Sequence, residues 1–268
     1  MGAKTKIDWC DSTWNPVTGC LHGCEYCYAC RIAKRFGMHL DVDLPELVKK
    51  GVVEGPADSC VLDEPVWIPV QKVEPYPFDF LPTYHRYKLD EPQYWKKPKT
   101  IFVCSMADLF GNWVPLEWIQ EVFEACRKAP QHRYLFLTKA PERYISLAKL
   151  GQLPTEDNFW FGSSTPTLET PYFYADKFNT FVSIEPLLEP FHYFGAAKPE
   201  ELPKWIIIGA ETGNRKGKII PKKEWVDEIA RYAQGNGIPV FMKESLRAIT
   251  GEDFRQEFPW EVDTNARA

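Results

Sequence analysis

The residues of this sequence best suited to chemistry are concentrated in one stretch, Val17-Thr18-Gly19-Cys20-Leu21-His22-Gly23-Cys24-Glu25-Tyr26-Cys27-Tyr28-Ala29-Cys30. Three thiols at C-x3-C-x2-C can converge on one metal centre, because the connecting loop is short and Gly19 and Gly23 relax its backbone. Zinc would take a fourth ligand from Cys30 or His22, although structural zinc sites usually present paired C-x2-C units. Moving the frame by one cysteine makes Cys24, Cys27 and Cys30 the opening of a bacterial ferredoxin motif. That motif continues with three residues and then Cys-Pro, whereas Lys34 and Arg35 stand here. What survives is Cys20, Cys24 and Cys27 on three irons of a 4Fe-4S cluster, with a fourth iron that has no protein thiolate.

The setting supports reduced thiols. The chain has 268 residues, 44% hydrophobic and 26% charged, with net charge −5, as in ordinary soluble globular proteins and unlike disordered, collagenous or membrane chains. Met1 to Ser12 has no apolar run of the secretory kind, and the longest apolar stretch, Trp205 to Ala210, is far short of the ~20 residues that span a bilayer. A cytoplasmic location without membrane contact is therefore expected, where clustered cysteines read as metal ligands or catalytic groups rather than disulfides. Of the others, Cys10, Cys60 and Cys126 read as packing residues, and Cys30 has no assigned role. Cys104 is expected to face surrounding helices if Ser105 points inward.

Such a centre needs a scaffold. Short apolar runs recur at Ile101-Cys104, Tyr134-Leu137, Phe159-Phe161, Thr180-Ile184, Trp205-Ile208 and Pro239-Met242, at the spacing of parallel strands joined by crossover helices. Helices are expected over Pro115–Ala129, Pro141–Gly151 and Pro221–Gly235, where apolar residues recur three and four apart. Strands this apolar are buried on both faces, which points to an open or partial parallel β/α barrel. Polar residues sit at the strand ends: Ser105 and Asp108, Thr138 and Lys139, Ser163 and Ser164, Glu185, Glu211 and Thr212, Lys243 and Glu244. In parallel α/β folds this is the working face. Period two places Ser183 and Glu185 on one side of their strand and Val182 and Ile184 on the other. The proline- and aromatic-rich segment at about 51–99 shows no periodicity and reads as an insertion or lid in a chain that is otherwise one domain over residues 1–268.

The C-x3-C-x-aromatic-C pattern of Cys20, Cys24, Tyr26 and Cys27 resembles the signature of radical SAM enzymes. That resemblance implies a partial barrel of six or seven strands with the cluster loop after the first strand. Here Thr13–Thr18 would be that strand and Tyr28–Phe36, with Ile32 and Phe36 aligned, the first helix. A closer likeness runs through Asp11-Ser12-Thr13-Trp14-Asn15-Pro16-Val17-Thr18-Gly19-Cys20, Lys88-Leu89-Asp90-Glu91-Pro92, Phe102 to Phe110, Leu137-Thr138-Lys139, Ser183-Ile184-Glu185-Pro186-Leu187 and Gly209-Ala210-Glu211-Thr212-Gly213. These residues are similar to a phage-associated, three-Cys-motif family of radical SAM-like proteins whose reaction is unassigned. Two departures from the related patterns stand out. Ser105-Met106-Ala107-Asp108 replaces the Gly-Gly-Glu often found after the second strand, and Gly209-Ala210-Glu211-Thr212-Gly213 stands where the closer family often reads Gly-Gly-Glu-Ser-Gly at the sixth, keeping the carboxylate.

The resemblance implies two cofactors, a 4Fe-4S cluster on Cys20, Cys24 and Cys27 and S-adenosylmethionine on the open iron. Reductive cleavage would yield a 5'-deoxyadenosyl radical that takes hydrogen from a substrate, a nucleobase or nucleotide in repair or modification being one class. It further implies Tyr26 near the adenine, Ser105, Asp108, Ser163 and Ser183 serving the methionine and ribose, and Glu185 contacting cofactor or substrate. Glu185, Glu211 and Lys139 are the candidate catalytic groups, and an external donor of flavodoxin or ferredoxin type would supply electrons. The net charge does not point to a polyanion. Basic groups at Arg31, Lys34 and Arg35, at Lys96, Lys97 and Lys99, and at Arg215 to Lys223 could nonetheless hold a phosphate backbone, so nucleic acid stays open as a partner. Two other classes stay open with it: a non-catalytic iron-sulfur or zinc module binding nucleic acid or a protein, and a barrel enzyme using Glu185, Glu211, Lys139 and Lys243 for acid-base work.

Overall fold

In the computed structural model, residues 5–37, 60–191 and 202–261 are described. Contact clustering divides the chain into two compact units, one of Met1–Thr5 with Cys10–Pro154 and one of Lys6–Trp9 with Thr155–Ala268. Three strands of the first and four of the second make the seven-stranded sheet of an open, partial β/α barrel, the architecture expected.

In the first unit the expected opening strand is divided. β1 (Ser12–Trp14) runs parallel to β7 (Thr100–Val103), and β7 to β8 (Arg133–Thr138). Val17–Thr18 instead forms β2, antiparallel to β6 (Thr83–His85) in a separate three-stranded sheet with β3 (Cys60–Leu62). Pro16 lies between β1 and β2, and its missing N–H and fixed φ prevent one continuous ladder. Residues 51–59 of the expected insertion lie outside the described residues. The remainder is more regular than its sequence suggested, with β3, β6 and a hairpin of β4 (Trp67–Ile68) and β5 (Lys72–Val73).

α1 (Tyr28–Phe36) has the expected bounds; its inward residues are Ala29 and Ala33, while the aligned Ile32 and Phe36 are 36% and 59% exposed. The small residues let the helix axis lie close to its support, and the large ones project outward. α2 (Leu116–Arg127) buries Ile119, Phe123 and Cys126 as its periodicity required, with Phe123 edge-on to Phe136 of β8 at 5.4 Å. α3 (Pro141–Lys149) follows β8 with proline in its first turn.

In the second unit β9 (Phe159–Ser164), β10 (Asn179–Ile184), β11 (Ile206–Ile208) and β12 (Val240–Met242) are parallel neighbours in that order. Alternation divides their side chains cleanly. Val182, Ile184, Ile206, Ile208, Val240 and Met242 pack with Val226, Ile229, Ala230 and Ala233 of α4 (Lys223–Gly235) in one buried cluster. The opposite face begins with aromatic rings, Phe181, Trp205 and Phe241, joined by Trp9 and Trp260. It ends with Ser183, Glu185, Gly209 and Lys243. Among the described residues no helix is long and apolar enough to cross a membrane.

Candidate functional site

The first unit holds the cysteine loop, and the turn after β7 fixes it. Cys104 adopts a left-handed φ of 58°, and Ala107 N–H donates to its carbonyl at 3.0 Å. The strand therefore ends at Val103, so the expected alternation does not reach Cys104, whose buried thiol is pushed up to about 12 by desolvation. The reversed chain meets the loop where Gly19 N–H donates to the Met106 carbonyl at 2.9 Å. Asn15 adds a second fastening, its Oδ1 accepting from Ser105 Oγ at 3.1 Å and Met106 N–H at 3.0 Å. Ser105, expected to serve the methionine, also lends its carbonyl to the Tyr28 hydroxyl at 2.6 Å.

Gly19 has φ 86°, and a Cβ there would lie 2.1 Å from the Leu81 carbonyl oxygen and 2.7 Å from that of Phe80. Cys20 N–H donates to that same Phe80 carbonyl at 3.1 Å. The aromatic part of the insertion thus backs the loop at its first cysteine.

Cys20, Cys24 and Cys27 are half-buried free thiols. Burial pushes Cys20 up to about 12, and the charges of Asp108, Cys27 and Cys24 act in the same direction. Burial also raises Cys24, the Lys139 ammonium opposing it and Cys27 adding to it. Cys27 caps α1, its Sγ accepting the Cys30 N–H at 3.3 Å. Thiols close enough to feel one another's charge, with a helix N-terminus at one sulfur and an ammonium beside another, form a soft donor set whose chemistry suits an iron-sulfur cluster. Iron binding must then displace thiol protons. Among the described residues no three His, Cys, Asp or Glu side chains are gathered around the position of a single ion. His22, the spare zinc ligand of the sequence reading, is turned away to Asp108.

Asp108 is the hub of this unit. Its Oδ1 accepts from Phe110 N–H at 3.0 Å and Thr138 Oγ1 at 2.7 Å, and its Oδ2 accepts from Lys139 N–H at 2.9 Å and pairs with His22 Nε2 at 2.7 Å. Four partners on one buried carboxylate join the cysteine loop, the β7 turn and the end of β8. Where the resemblance implied a cofactor contact for Asp108, the structure gives its oxygens this fastening. The His22 ring stands edge-on to Trp113 at 4.8 Å. From the same strand end Lys139 Nζ reaches the Tyr26 hydroxyl at 3.4 Å and lies 5.3 Å from that ring's centre, bringing two of the residues expected at the site together.

In the second unit Lys243 Nζ forms an ion pair with Glu185 Oε1. Gly209 makes room for it, since a Cβ there would approach Lys243 Cδ to 2.9 Å and Glu185 Cγ to 3.1 Å. Ser183 lies on the same face, in register with Ser164. Ser163 does not: it is in register with Val182 on the helix-facing side, and its Oγ accepts the Phe173 N–H at 2.9 Å. Ser164 is therefore the serine of β9 that shares a side with Ser183. Glu211 is committed elsewhere, its carboxylate, 2% exposed, accepting Arg215 Nε at 2.7 Å and Nη2 at 2.8 Å.

That Arg215 fork holds Glu211 below the usual carboxylate range. A depressed pKa stabilises the fold above the unfolded value and is lost as pH falls through the folded one. The stability advantage of the native chain over Glu211→Gln, measured by urea unfolding, is accordingly expected to be full at pH 7 and to shrink as pH falls below the ordinary glutamate value of about 4.3.

Sequence reasoning assigned no work to Asn15 or Gly209, and read Arg215 only as one of a basic group that could meet a phosphate, not as the partner of Glu211. Asn15 stood in a quoted motif, and Arg215 lies four residues after a strand-end glutamate; these were the available signals.

The family described as "Protein of unknown function (DUF5131)" matches residues 4–247. No curated protein matches. Among solved structures the chain is similar to "Spore photoproduct lyase complexed with dinucleoside spore photoproduct", with TM-score 0.50 and 10% identity over 91% of this chain and 79% of that one. A mutant of the same lyase has TM-score 0.49 and 11% identity over 91% and 79%. At such identity the likeness is one of fold.

Proposed function

We propose that this chain, which belongs to the DUF5131 family, is a radical SAM enzyme acting on a nucleobase or nucleotide. The observation that carries the reading is the trio Cys20, Cys24 and Cys27 on one loop directly after β2, close enough to feel one another's charge and fastened to the turn that ends the parallel strand β7. When bound, a 4Fe-4S cluster with S-adenosylmethionine supplies one-electron cleavage of a carbon–sulfur bond and hydrogen abstraction from substrate.

The chain's own residues do the rest. Lys139 lowers the cost of a thiolate at Cys24 and sets the Tyr26 ring. Asp108 keeps His22, and with it the loop between the first two cysteines, in one place. Trp113 covers the imidazole edge and limits water there. In the second unit the Glu185–Lys243 pair offers both charges, beside Ser183, to a zwitterionic or hydrogen-bonding ligand. The nucleotide direction is supported by the dinucleoside bound by the lyase of similar fold. A cytoplasmic setting, an electron donor of flavodoxin or ferredoxin type and kinship with the phage-associated three-Cys-motif proteins belong to the same proposal.

The test is anaerobic reconstitution of the full chain, counting of iron and sulfide, then reduction with S-adenosylmethionine present. About four irons per chain are expected, with 5'-deoxyadenosine formed by the native protein and not by Cys24→Ala. Zinc in place of iron, or a reduced cluster that leaves S-adenosylmethionine intact, overturns the reading.

A further inference from the structure

The segment following β11, residues 212–223, carries Arg215, Lys216, Lys218, Lys222 and Lys223 and no acidic residue, in a chain of net charge −5. Two of these cations are matched. Arg215 is held by Glu211, and Lys223 meets Asp227 at 2.7 Å and Asp253 at 2.6 Å. Lys216, Lys218 and Lys222 have no carboxylate within salt-bridge distance among the described residues. Lys216 and Lys222 are exposed, and Lys218 Nζ donates only to the Gly213 carbonyl, at 3.1 Å.

This loop is built. Its anchor is the buried Glu211 carboxylate, which takes the Arg215 fork and a backbone hydrogen bond from Ile219. Gly213 and Gly217, with φ of 89° and 78°, supply left-handed turns on either side of Arg215 and Lys216. A buried acid is thus used to shape a loop on which Lys216 and Lys222 stay exposed with no carboxylate partner among the described residues, while half-buried Lys218 lies near enough to feel the Glu211 charge; Ile219 and Ile220, 36% and 67% exposed, add apolar surface beside them. Gly209, directly after β11, lies against Glu185 and Lys243.

We infer that the 212–223 loop is a binding site for the phosphate backbone of single-stranded nucleic acid. Lys216, Lys218 and Lys222 contact phosphates, and Glu211 and Arg215 act as positioning residues. Spaced ammonium groups suit a polyanion with regularly repeated charge, and release of its counterions drives association. The inference rests on the nucleotide-directed form of the proposed function and names its substrate as a polymer.

Fluorescence anisotropy of a labelled oligothymidine, titrated with the full chain at several salt concentrations, tests it. The native chain is expected to bind at low salt, and Lys216→Gln/Lys218→Gln/Lys222→Gln to bind at least tenfold more weakly with a salt slope reduced by about 2, three contacts at ~0.7 each. An equal charge removal at Arg31, Lys34 and Arg35 should leave binding within twofold. Thermal melts of both triple variants check folding, and should the triple lysine variant fail to fold, single Lys216→Glu reads the same loss. No binding by the native chain, equal losses from the two triple variants, or displacement by polyglutamate at the same charge concentration would each overturn the site. The assay needs neither reductant nor S-adenosylmethionine. A chain that binds without cleaving the sulfonium defeats the proposed enzyme activity, and one that cleaves without binding defeats this site.

Discussion

Gly19→Ala is expected to lower the melting temperature of the apo chain by about 10 °C and to abolish iron uptake on reconstitution. The added methyl would lie 2.1 Å from the Leu81 carbonyl oxygen and 2.3 Å from its carbon, both backbone atoms that cannot rotate away. Relieving the clash means moving the loop off residues 80 and 81, which breaks the Cys20–Phe80 and Gly19–Met106 hydrogen bonds, and the left-handed φ adds its own cost. A loss of ~3–5 kcal/mol sits in the upper tail for single substitutions, and ~2–4 °C per kcal/mol converts it to the stated shift. Gly23→Ala is the control, in the same loop and also left-handed at 68°, but with nothing within 4 Å of the new methyl. It should cost ~1–2 kcal/mol from φ alone. Equal melting temperatures for the two variants would show that residues 80 and 81 do not back the loop.

The second large effect belongs to Asp108. Asp108→Ala leaves Phe110 N–H, Thr138 Oγ1, Lys139 N–H and His22 Nε2 without their acceptor, all four at buried or part-buried positions. Stranding buried donors carries their desolvation penalty, so ~3–5 kcal/mol is expected in urea unfolding, together with poor retention of iron. Asp108→Asn keeps the shape but turns an amide donor toward other donors, and should lose roughly half as much. His22→Ala removes one partner and should lose ~1–2 kcal/mol. The order Ala, Asn, His22→Ala is the discriminating result. If His22→Ala matched Asp108→Ala, the aspartate would act through the histidine alone.

Much of this was legible in the residues. The strands announced themselves because a sheet covered on both faces needs unbroken apolar runs, and β9 to β12 supply them; α1, α2 and α3 fell within two residues of expectation at their starts. The cysteine loop was visible because three thiols at C-x3-C-x2-C, with Gly19 and Gly23 beside them, stand out in the residues alone. What the sequence hid has physical causes. Pro16 divides β1 from β2, yet nothing local shows that Val17 will pair with Tyr84, 67 positions away. The inward face of α1 was not legible because Ala29 and Ala33 bury little area, and close packing of small residues leaves no hydrophobic period to detect. Asp108 looked like a strand-end acid open to a ligand; only the fold reveals that four donors converge on it. Ser163 and Ser164 are adjacent, and the side each occupies was decided by pairing with Val182 and Ser183.

The strict alternation of β10 has an evolutionary corollary. Val182 and Ile184 belong to the packed layer beneath α4, whereas Ser183 and Glu185 belong to the opposite face. Gain or loss of a single codon between Thr180 and Glu185 would reverse that parity, carrying a carboxylate into the oily layer and aliphatic groups to the polar end. Fold and chemistry would fail together, so length variation among relatives must be confined to the connections and excluded from the strand.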